Sequence, residues 1–154
     1  MSEIQGIEDQ LRRAFEGHAW HGPAVRELLA DVTAAKAAAR PLPDAHSIWE
    51  IVLHIATWEE VVRRRLQGEA IADLPPAQDW PLVGDTSEAA WHKAMDDLER
   101  VHHTLIEAIA QAGDVRLAEM VPGKEHSVYH MLHGVIQHDL YHAGQIAILK
   151  KAHH

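Results

Sequence analysis

The chain has 154 residues, a formal charge of −9 with its 14 histidines neutral, and no cysteine. That length suits one domain with its own core, so residues 1–154 read as a single unit. The missing thiol excludes disulfides, thiolate metal sites and cysteine nucleophiles. The acidic balance argues against a nucleic-acid partner, and no apolar run approaches the roughly 18 residues of a membrane span.

The start, MSEIQGIEDQL, lacks signal-peptide character, which makes the cytoplasm the expected location. His153 and His154 resemble a tag remnant and are set aside. A first helix is predicted from Glu3 to Glu16, because Ile4, Ile7, Leu11 and Phe15 recur at three and four. It breaks near Gly17 to Pro23 and continues through Ala24 to Leu29. The alanine-rich stretch Thr33 to Ala39 is a short helix that stops before Pro41.

The second long helix opens with Ser47-Ile48-Trp49-Glu50, a capping box, and runs to Leu66 with Gly68 after it. Residues 69–85, with Pro75, Pro76, Pro81 and Gly84, are predicted as a long loop. The third helix runs from Thr86-Ser87-Glu88 to Ala112 and presents Trp91, Met95, Leu98, Leu105 and Ile109 inward. Pro122-Gly123 marks a turn, and the fourth helix runs from Ser127 to about Lys151. No stretch alternates with period two for long. The fold class is therefore all-α, a four-helix bundle with a long loop between its second and third long helices.

Within the last helix His138 and His142 stand four apart, one turn from each other on one face. Val128, Met131, Val135, Ile146 and Leu149 share that stripe, so the pair points at the core, either as ligands or as a buried hydrogen-bonded pair. His54 lies among Ile51, Trp58 and Val61 and needs a partner, a solvated cavity or a metal. Three neutral imidazoles around a divalent ion leave a coordination position open, the catalytic pattern. Zinc, nickel or iron suits these ligands, and nitrogen donors alone do not choose among them; the expected ion is zinc or nickel, before iron or manganese. Binding is expected to weaken below about pH 6, since the ligands must be neutral.

The other histidines read as bystanders. His130 sits in a capping position, His133 is exposed, and His46 belongs to a loop. His126 lies at or before the helix start, and at most one of the adjacent His102 and His103 faces inward. Asp139 reads as a surface or helix-partner carboxylate and Glu60 as a solvated charge. Gln145, one turn beyond His142, is the candidate to hold a ligand's outer nitrogen. His21 either ends a helix or lines the mouth of the site. Gly134 and Gly144 permit a close helix approach or substrate clearance. Arg63-Arg64-Arg65 reads as a solvated helix end, with no sharp basic motif near the proposed ligands.

The segments SIWEIVLHIATWEE and HDLYHAGQIAILKK, with AWHGPAVRELLADV near the start, resemble the DinB/YfiT-like superfamily of metalloenzymes from about Leu11 to Lys151. The resemblance implies one divalent ion held by His54, His138 and His142. It implies a metal-dependent transferase using a low-molecular-weight thiol, or a hydrolase, acting on a small molecule, and a homodimer. The alternative is a non-catalytic metal-binding or stress-response bundle, with apolar surface on the first helix and on Thr86 to Gly113 as a dimer interface.

Overall fold

The structure, a computed structural model, describes residues 1–152. Its regular elements are all helices, with no strand among the described residues. The helices are α1 (Glu3–Phe15), α2 (Val25–Leu29), α3 (Ala34–Ala38), α4 (Ile48–Leu66), α5 (Pro76–Asp79), α6 (Glu88–Ala112) and α7 (Val128–Ala152), with a 3₁₀ turn at Asp114–Ala118.

The four long helices form the bundle. Helices α4 and α1 each pack against both α6 and α7, so α1 and α4 occupy opposite corners. The ends are set where capping chemistry places them. Ser47 Oγ accepts from the Glu50 amide and Glu50 returns the bond to the Ser47 amide, each at 3.1 Å. Ser87 caps α6 through the Ala90 amide at 3.1 Å. Gly113, at φ 75°, ends that helix in a conformation an L side chain rarely adopts. Ser127 caps α7 by accepting from the His130 amide at 3.2 Å; the exposed His130 ring instead faces His126 at 5.2 Å.

Two departures from the sequence reading matter for the site. The loop after α4 contains a helical turn, α5, started by Pro76 at a position that needs no amide donor. The chain after α1 does not resume the same helix: Gly17 and His18, at φ 149° and 62°, redirect it before α2.

The core has two apolar halves. One gathers Phe15, Trp49, Ile55, Trp91 and Ile146, the other Leu11, Val62, Leu105, Leu132 and Val135. Between them along α4, α6 and α7 lie Glu59, His102 and Asp139, all essentially inaccessible to water. His102 faces Glu59 at 3.3 Å through Nδ1 and Glu16 at 3.2 Å through Nε2, and it stacks on Phe15. Asp139 is thus a buried helix-partner carboxylate, not a surface group, and of the histidine neighbours His102 is the inward one. Burial pushes Glu59 up to about 7 and Asp139 well above the carboxylate range. Burial also holds His102 below its ordinary value, and a neutral imidazole has one N–H for two carboxylates. The layer therefore carries at least one further proton.

Candidate metal centre

The pitch of α7 puts His138 and His142 one above the other, and the packing of α4 against α7 brings His54 to them. The Nε2 atoms converge: His54 to His138 at 3.1 Å and His142 to His138 at 3.2 Å. All three lie within 4.8 Å of one another, and no fourth His, Cys, Asp or Glu among the described residues joins them. His54 and His142 are buried and His138 is partly so.

The outer nitrogens determine which lone pairs face inward. His54 Nδ1 donates to the Asp79 carbonyl at 2.6 Å, and His142 Nδ1 donates to Gln145 Oε1 at 2.7 Å. Each neutral ring then turns an unprotonated Nε2 to the centre, as a metal ligand requires. His138 Nδ1 is buried without a partner. Burial holds all three rings below the ordinary histidine value, and neighbouring His142 and His54 help to take His138 down to about 3. Proton competition for a metal therefore begins at lower pH than the value of about 6 expected from free imidazole.

The loop after α4 supplies the wall. Trp80 stacks on His54 with centroids 3.7 Å apart, and His46 stacks on Trp80 at 3.6 Å. Asp79 Oδ1 accepts from Trp58 Nε1 at 2.7 Å. The sequence places neither Asp79 nor Trp80 at the site. The sole local hint was the Pro75-Pro76 pair, which marks a turn but not its destination. His21 lines a separate cavity of about 510 Å³ with Pro23 and Leu140, away from the three histidines. His133 faces Glu3 at 3.4 Å, and His126 and His130 lie near each other.

The donor set fits a divalent ion. Nitrogens about 2.0–2.1 Å from one zinc-sized ion lie about 3.0–3.4 Å apart, which matches the two close spacings. The fold and site define a helical bundle with a three-imidazole centre. The chain belongs to the DinB superfamily, whose family model matches residues 19–146 and so spans all three histidines. No curated protein and no solved structure matches it.

The Gln145 bond carries a direct expectation. Gln145→Leu removes the acceptor that orients His142 and should weaken metal affinity about tenfold or more, whereas Gln145→Glu keeps it. Competition against a chromophoric chelator measures both; equal affinity in the leucine variant removes Gln145 from the site.

Proposed function

We propose that His54, His138 and His142 hold one divalent ion, zinc or nickel before iron or manganese, and that this centre acts on a small molecule as a thiol transferase or a hydrolase. The observation that carries the reading is the meeting of three Nε2 atoms, two of them held unprotonated by bonds on the far side of the ring, with no fourth protein ligand among the described residues. A structural site would be closed by a fourth ligand. A divalent ion in such a set supplies Lewis acidity, which lowers the pKa of a thiol or water that it coordinates.

The chain's own groups bind and shield. Trp80 covers one face of His54, Asp79 orients that ring and holds Trp58, and Gln145 orients His142. With no cysteine in the chain, a thiol must arrive with the cosubstrate. The test is metal analysis of untagged protein purified without a nickel column, followed by a thiol-consumption screen with electrophiles. Bound metal with thiol consumption supports the transferase. Metal with no thiol consumed favours the hydrolase or the non-catalytic bundle, and native protein without metal overturns the reading.

A second copy is the partner the surface favours. The outer faces of α6 and α1, expected as the interface, are polar: His92, Lys93, Asp96, Arg100, His103 and Glu107 line α6. On α7, by contrast, three exposed apolar side chains, Leu140, Tyr141 and Ile148, stand 37, 67 and 63% exposed around Gly144. A Cβ at Gly144 would meet nothing within the chain. Leu140 and Ile148 are each four residues from it, so two antiparallel α7 helices crossing at Gly144 would pair leucine with isoleucine twice about one two-fold axis. Leu140→Glu combined with Ile148→Glu should convert a dimer to a monomer by light scattering; a monomeric parent protein rejects the interface.

A further inference from the structure

The sequence shows no basic motif near the histidines, yet the fold assembles one at the other end of the α4–α7 seam. Arg65 is 5% exposed, far from the solvated helix end its run of arginines suggested. Among the described residues it is the one arginine without an ion-pair partner: the other eight each face a carboxylate. Its Nη2 donates to the Ile71 carbonyl at 2.9 Å, and its Nε is buried with no acceptor. A guanidinium cannot shed its charge, and a buried charge without a counter-ion is costly.

Lys124 and two imidazoles, further N–H donors, gather beside it. His126 is held below its ordinary value by burial and by the nearby charges of His130, Arg65 and Lys124. The His126 and His130 rings lie 5.2 Å apart. The N-terminus of the 25-residue α7 opens at the same place and adds partial positive charge. The carboxylate that acts on Arg65 is Asp73, but it is 95% exposed and pairs with Lys124, not with the guanidinium.

This cluster is joined to the histidines by one side chain. The Arg65 guanidinium lies over the Trp58 ring at 5.8 Å, and that ring lies 6.3 Å from His138 and 6.4 Å from His54. Across the seam on α7 stands Gly134, between His130 and His138, where a Cβ would meet nothing.

We infer that Arg65, Lys124, His126 and His130 form an anion subsite that takes the carboxylate or phosphate group of a substrate whose reactive end lies at His54, His138 and His142. This rests on the reading of the three histidines as a substrate-facing metal centre. The span sets the substrate's size. Through the Trp58 ring, the Arg65 guanidinium lies no more than about 12 Å from the His54 ring, and from His138 to His130 the helix also rises about 12 Å. At about 3.3 Å per extended residue, that is a molecule of three or four residues' length. Trp58 and Gly134 would flank its middle.

Two titrations of the full-length chain test this. In chelated protein, inorganic phosphate should shift the ring-proton resonances of His126 and His130. Its affinity should fall about tenfold in Lys124→Gln and in Arg65→Gln. Lys124→Gln carries the test if the buried Arg65→Gln fails to fold. His138→Ala should leave phosphate affinity unchanged, which separates this result from any failure of metal binding. Acetate is titrated alongside: the tighter of the two ions identifies the group the subsite prefers. No shift at either ring at tens-of-millimolar phosphate overturns the subsite.

In zinc-loaded protein, the tripeptide Cys-Gly-Gly should bind about tenfold tighter than its C-terminal amide, and Lys124→Gln should erase the difference. Equal affinity of acid and amide in the parent protein overturns the link between the subsite and the histidines.

Discussion

His138→Ala should lower divalent-metal affinity by about 100-fold or more while leaving the helical content unchanged. A four-ligand zinc site is worth about 10–16 kcal/mol, so one ligand carries about 3 kcal/mol, or roughly two decades in affinity. His138 Nε2 sits between the other two donors, at 3.1 and 3.2 Å, so its loss leaves two nitrogens without the atom that bridges them. At a metal concentration of about 100 times Kd the parent protein gains about 2.7 kcal/mol of stability. For a chain of this size that is about 5–10 °C in Tm, and the variant should forfeit it. His54→Ala and His142→Ala should behave alike, whereas His130→Ala and His133→Ala should keep metal affinity. Chelator competition and thermal melts with and without zinc measure both effects. Unchanged metal content in His138→Ala sinks the assignment.

The second large effect is on the pH dependence of the metal-free protein. Burial and its histidine neighbours hold His138 at about 3 in the folded chain against about 6.5 when unfolded. Between those values the unfolded chain binds a proton that the folded chain refuses, so stability falls as pH drops from about 6.5 towards 3. At 1.36 kcal/mol per unit the full shift is about 5 kcal/mol; partial exposure of His138 reduces this to on the order of 3 kcal/mol.

Glu59 acts in the opposite sense. Its folded value of about 7 exceeds the ordinary 4.5, so it removes stability as pH rises across that interval. The two slopes overlap between about pH 4.5 and 6.5 and partly cancel in the parent protein. The informative quantity is therefore the difference between chelated parent protein and His138→Gln, read from urea midpoints at several pH values. Relative to the parent, the glutamine variant should gain stability progressively as pH falls below about 6.5. Parallel profiles rule out a proton-refusing His138.

Much of the site is legible from local periodicity. A spacing of four on a helix forces His138 and His142 together whatever the tertiary fold, because 3.6 residues make a turn. The same pitch places Gln145 three residues beyond His142, where it accepts the ring proton at 2.7 Å. The Ser47 box and the Ser87 and Ser127 caps follow from side chains that satisfy amides within their own turn. The apolar stripes of α4, α6 and α7 bury as their periodicity requires.

What lies beyond one turn was decided by packing. His54 is 84 residues from His138 and reaches it because α4 packs on α7. Asp79 and Trp80 come from a loop whose proline pair signals a turn but carries no address. Periodicity also misjudges charge. Arg65 ends a basic run that reads as solvated, and Asp139 reads equally as a surface or a helix-partner carboxylate, yet both are buried. A helical wheel shows which way a side chain points, not which other helix stands there. By itself the sequence determined an all-helical chain with an imidazole pair one turn apart. The tertiary structure brought a third imidazole to that pair, closed a tryptophan over it, and left one unpaired guanidinium at the far end of the same seam.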